Sequence, residues 1–100
     1  MLIGGTAGRW ELTGFMERLD AWIELENPDL DLRLLVTSWV LSRFTNPYRG
    51  MNRVSGFDNY WFGAVPGSKH DGKVVACSFF IEETTHTVRC DLFGTLSLPL

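Results

Sequence analysis

The sequence predicts an α+β domain: an N-terminal helical hairpin packed on one face of a three- to four-stranded antiparallel β-sheet. Three observations lead there. Apolar residues recur at helical spacing in two successive runs, each closed by an Asn-Pro pair. After Pro47 the apolar period shortens from about 3.6 residues to about 2. Turn-forming residues then divide the remainder into strand-length pieces.

Residues 1–9 read as a flexible N-terminal arm, and residues 10–100 as a single domain. Gly4-Gly5-Thr6-Ala7-Gly8 resembles a phosphate-cradling loop only in composition, lacking the Gly-Lys-Ser/Thr ending and a preceding strand. Leu12, Phe15, Met16, Leu19, Trp22 and Ile23 form one face of a first helix, with Glu11, Glu17, Asp20 and Glu24 off that face. Asn27-Pro28 ends it, because the residue before a proline is pushed out of helical geometry. A second helix begins near Asp31, capped by Asp29 or Asp31. Its apolar positions are Leu32, Leu35, Val36, Trp39, Val40 and Phe44, and Arg43 in its last turn suits the helix dipole.

Strands are expected over 59–65, 73–81 and 87–98, with a further short edge strand within 49–54. Val75, Cys77, Phe79 and Ile81 alternate against Val74, Ala76, Ser78 and Phe80; Val88, Cys90 and Leu92 alternate against Arg89, Asp91 and Phe93. A two-residue turn at Glu83-Thr84 keeps apolar faces together and sets Cys77 opposite Cys90, both toward the helices. Leu92 then belongs to the core.

Composition narrows the function classes. One hundred residues leave no room for a second independent core. With 45% hydrophobic and 21% charged residues, neither disorder nor a fibre is expected. A net charge of −3 argues against a general nucleic-acid coat. No apolar run approaches the roughly 20 residues of a membrane span, and no leader pattern opens the chain, so a cytoplasmic protein is expected. The charge is segregated: residues 1–31 carry a net of −5, whereas 32–57 carry Arg33, Arg43, Arg49 and Arg53 and no acid.

The two cysteines exclude a four-thiolate zinc site. They read first as small buried hydrophobes, then as a cross-strand disulfide, and last as a nucleophile served by His86 or His70. No metal cluster, paired-carboxylate site or cofactor is expected. Arg49 and Arg53 straddle the helix-to-sheet junction, and Arg89 is expected on the open sheet face among Phe80 and Phe93. Such a surface suits base stacking or docking of a peptide strand; surface arginines paired with Asp58 or Asp91 are the plainer reading.

Pro47-Tyr48-Arg49-Gly50, Arg53-Val54-Ser55-Gly56, the run Val74–Ile81 with Glu82-Glu83, and the strand over 87–92 resemble the helix-to-sheet passage and sheet ending of the RelE/ParE toxin superfamily of bacterial toxin–antitoxin systems. The resemblance spans roughly residues 10–98. It implies a RelE/ParE-like fold and a cognate antitoxin as partner, with ribosome-bound mRNA or a topoisomerase as target; homo-oligomerisation is left open. In the nuclease branch it implies metal-independent attack of a ribose 2′-hydroxyl on the adjacent phosphate. Arg53 and Arg89 would stabilise charge there, and His86 would carry the proton. Arg49, Phe80 and Phe93 would line the binding surface. The segment from Phe93 to Leu100 lacks the His, Tyr, Arg or Lys that the family often places there. The alternative is therefore a non-enzymatic protein-binding module on the same fold.

Overall fold

The computed structural model describes residues 9–99. In chain order they form strand β1 (Glu11–Thr13), helix α1 (Phe15–Glu26), helix α2 (Leu30–Ser42) and strands β2 (Asn52–Arg53), β3 (Tyr60–Ala64), β4 (Lys73–Glu82) and β5 (Thr87–Ser97). The strands make one sheet in the order β1-β5-β4-β3-β2. Every pairing is antiparallel except that of β1, which runs parallel to β5. The α+β class and the helix-covered face hold; the sheet has five strands rather than three to four. No helix among the described residues is long and apolar enough to cross a membrane.

The arm expected over 1–9 lies outside the described residues apart from Arg9, whose guanidinium stands 5.4 Å from the centre of the Phe44 ring. Trp10 follows it into the core, its backbone N–H donating to the Phe44 carbonyl at 2.8 Å. Gly14 then takes φ 80°, a left-handed conformation open to glycine at little cost. That turn separates β1 from α1. Leu12, placed on the first helix by its spacing, therefore lies in β1 opposite Val88.

Helix α1 buries Phe15, Leu19 and Trp22. Asn27 closes it in a left-handed cap, its N–H donating to the Ile23 carbonyl at 2.8 Å. Helix α2 is capped by Asp29, whose Oδ1 accepts from the Leu32 N–H at 2.9 Å. It buries only Val36 and Val40 fully and leaves Leu30, Leu34 and Leu41 exposed. The helices meet Val75, Cys77, Phe79, Ile81, Val88 and Cys90 of the sheet across two adjoining apolar clusters.

Ser68 pins the β3–β4 connection: its hydroxyl donates to the Val65 carbonyl at 2.7 Å and accepts from the Val75 N–H at 3.0 Å. Gly63 lets the chain before β2 cross closely, since a Cβ there would meet Met51 Sδ at 2.6 Å.

Two expectations for the last hairpin are corrected. The connection is a four-residue loop, with Glu82 opposite Thr87, and not a two-residue turn. His86 holds the left-handed position at φ 57°, supported by stacking on Trp10 at 3.8 Å. A β-bulge then interrupts the ladder: Phe79 faces Cys90, but Ser78 faces Leu92, leaving Asp91 as the extra residue. Asp91 Oδ2 accepts the Tyr60 hydroxyl at 2.5 Å, and the Leu92 N–H donates to Ser78 Oγ at 3.2 Å. The bulge reverses facing beyond Cys90. Leu92, expected in the core, is 61% exposed on the open face, and Phe93, expected on the open face, packs edge-on against Trp22 at 6.1 Å. Cys77 lies opposite Phe93 and is a diagonal neighbour of Cys90.

Candidate interaction surface

The uncovered sheet face is organised in cross-strand rows. The first runs Tyr60–Phe80–Arg89–Thr13, the second Asn52–Phe62–Ser78–Leu92, the third Ala64–Ala76–Gly94 and the fourth Val74–Leu96. Alternation of side chains explains this face, because Ser78 and Phe80 sit between the helix-facing Cys77, Phe79 and Ile81.

The two ends of the face differ in chemistry. In the first row the Arg89 guanidinium lies 4.5 Å from the centre of the Phe80 ring, which lies 4.5 Å from that of Tyr60. The Tyr60 hydroxyl bridges Ser78 Oγ at 2.8 Å and Asp91. Its hydrogen bond to the Asp91 carboxylate raises the Tyr60 pKa above the usual phenol value, so the proton stays on Tyr60. At the other end the small residues Ala76 and Gly94 floor a trough of about 220 Å³ rimmed by Phe62, Leu92 and Leu96. The rim side chains are 41%, 61% and 47% exposed, so the sheet leaves a connected apolar strip uncovered.

Of the residues singled out in the sequence, only Arg89 and Phe80 meet on this face. Arg53 shares its row with Trp61, Phe79 and Cys90, on the helix-covered side. Its Nε donates to the Phe57 carbonyl at 3.2 Å, and it pairs with Asp58 at 3.8 Å. His86 stacks on Trp10 beyond the end of the sheet, with Nε2 buried and unpartnered. Arg49 is exposed in the passage from α2 to β2, where its carbonyl accepts from Arg43 at 2.8 Å. Phe93 faces the helices.

Arg43 does more than suit the helix dipole. It is 3% exposed, donates to the Pro47 and Arg49 carbonyls at 3.3 and 2.8 Å, and stands 4.3 Å from the centre of the Trp39 ring. One guanidinium thus holds the helix-to-sheet passage in place. Tyr60, Phe62 and Leu96 also belong to this face, and the only sequence signal for them is alternation, which places each beside the open-face residues of β4.

A cleft of about 640 Å³ lies between the α1–α2 link and the β3–β4 loop. Glu26, Asp29 and Asp31 form one wall, and Lys69, His70 and Lys73 the other. The indole N–H of Trp22 in its floor already donates to Thr95 Oγ1 at 2.8 Å. Charged side chains line both walls, with Trp22, Leu32 and Leu35 of the two helices supplying apolar surface between them.

Fold and surface together define a small two-layer α+β protein with one sheet face left uncovered by the helices among the described residues. No protein-family model, curated protein or solved structure gives a significant match to this chain.

Proposed function

We propose that this protein is a non-enzymatic binding module that engages a partner protein through its uncovered sheet face. The observation that carries the reading is the joining of an exposed apolar trough at Phe62, Leu92 and Leu96 to the Tyr60–Phe80–Arg89 row. The trough supplies desolvation energy, and the aromatic-cation row supplies orientation. The RelE/ParE resemblance suggests a cognate antitoxin as that partner. Its nuclease branch asks Arg53, Arg89 and His86 to converge on one phosphate; their distribution over two sheet faces and a turn favours binding over catalysis.

The outer ridge of α2, with Leu30, Leu34 and Leu41, is a second exposed apolar strip, but no polar anchor accompanies it in the described contacts. The test recovers the partner from the native host, identifies it, and reconstitutes the pair from purified proteins. Leu92→Asp should weaken binding by about 2 kcal/mol or more, roughly 30-fold in Kd, and Leu34→Asp should leave it unchanged. The reverse pattern would move the interface to α2. Expression without a partner should leave messenger RNA intact; cleavage abolished by Arg89→Ala would establish the nuclease reading instead.

A further inference from the structure

Cys77 and Cys90 sit on the helix-covered face of neighbouring strands, 1% and 4% exposed. Both are free thiols, with their Sγ atoms 4.0 Å apart. Phe15, Val40, Phe79 and Val88 belong to the same cluster. We propose that the two form a peroxide-oxidisable dithiol, a modification site at which β4 and β5 become joined by a reversible intramolecular disulfide. Both thiols pack in the helix-side cluster, and Cys77 also borders the trough between Ala76 and Gly94; the inference does not depend on the binding reading.

Three features support it. First, burial keeps outside thiols away from either sulfur, so an oxidised cysteine finds its resolving partner in the other member of the pair. Second, the surroundings distinguish the two. Gly14, which opens α1, lies so close that an added Cβ would stand 3.7 Å from Cys90 Cβ. No side chain caps that helix end, so its first-turn amides bias the neighbouring site toward negative charge. The hydrogen bond with Cys77 pulls the Cys90 pKa down and Arg18 in the same turn assists, while burial and Asp91 oppose. Cys77 is pushed up by its hydrogen bond with Cys90 and by burial, with Arg43 and Arg18 opposing. Cys90 is thus the attacking thiol and Cys77 the resolving one. Third, the two are diagonal neighbours on adjacent strands with their sulfurs already 4.0 Å apart, so the sulfurs need approach by only about 2 Å to bond.

The chemistry balances. The Cys90 sulfur attacks hydrogen peroxide, an S–O bond forms, the O–O bond breaks, and hydroxide leaves as water with the Cys90 proton. The Cys77 sulfur then attacks the Cys90 sulfur, S–S forms, S–O breaks, and a second water leaves with the Cys77 proton. Two thiols and one peroxide become one disulfide and two waters. The product is neutral, which suits an apolar site better than a lasting sulfenate.

The test treats the full chain with hydrogen peroxide, denatures it, alkylates it and measures its intact mass. The expected product is a monomer lighter by two hydrogens, with no alkylation, a Cys77–Cys90 cross-linked peptide and full recovery of two alkylatable thiols after reduction. Two free thiols, stable oxygen adducts on a cysteine, or a disulfide-linked dimer would overturn the proposal. Cys77→Ala should instead accumulate a Cys90 sulfenic acid that a cyclic diketone traps; if that variant does not fold, the wild-type masses decide alone.

Discussion

Replacing Leu92 and Phe93 by alanine, one at a time, sets two neighbouring residues against each other. Strict alternation would put Leu92 in the core and Phe93 outside; the bulge at Asp91 does the opposite. Phe93 packs against Trp22 and borders both apolar clusters. Phe93→Ala removes that packing and leaves a void, at about 3 kcal/mol for a partly exposed ring. Leu92 is 61% exposed, and Leu92→Ala should cost about 0.5 kcal/mol. The gap of about 2.5 kcal/mol corresponds to a melting-point difference on the order of 10 °C or more for a domain of this size. Urea and thermal unfolding followed by tryptophan fluorescence would measure it. A larger loss for Leu92→Ala than for Phe93→Ala would refute the bulge and the open face built on it.

Arg43→Ala should destabilise the protein by about 2–4 kcal/mol, because two carbonyls of the helix-to-sheet passage lose their donor. Arg43→Lys should restore only part of the loss in the same unfolding assay, since an ammonium cannot reproduce the planar fork and the stacking on Trp39. The Tyr48 pKa is pushed up to about 12 by burial and by its hydrogen bond to Glu83. The folded protein therefore holds the Tyr48 proton that the unfolded chain releases near 10, and this contribution to stability should be lost as pH rises from 10 toward 12; Tyr48→Phe should flatten that part of the profile. A bulky thiol reagent should label Cys77 and Cys90 slowly in the native protein and rapidly after denaturation; fast native labelling would show that the two strands open locally.

The strands over 60–64, 73–82 and 87–97 were legible because period-2 patterning and Pro-Gly or polar loops are local signals. Helix α2 was legible for the same reason, and of the two caps that the sequence offered, Asp29 and Asp31, the structure uses Asp29. Strand β1 was not. Glu11-Leu12-Thr13 shares the helical spacing of Phe15, Leu19 and Trp22, and its pairing with residues 87–89 is a tertiary contact. The bulge was invisible because its support is distant: Asp91 is held by Tyr60, and Leu92 by Ser78. One extra residue then reversed the facing of Leu92 and Phe93, so the aromatic neighbour assigned to Arg89 was half right, with Phe80 present and Phe93 absent. Arg43 resembled its exposed neighbours in charge alone; nothing in the sequence marked the carbonyls that it would bind.

The most direct test of the binding account is a residue-resolved NMR footprint of the reconstituted partner on isotope-labelled protein. The account predicts amide and methyl perturbations concentrated on Tyr60, Phe62, Ala76, Phe80, Arg89, Leu92, Gly94 and Leu96, with the outer ridge of α2 unchanged. A footprint centred on Leu30, Leu34 and Leu41, or on the passage from Pro47 to Arg53, would contradict it.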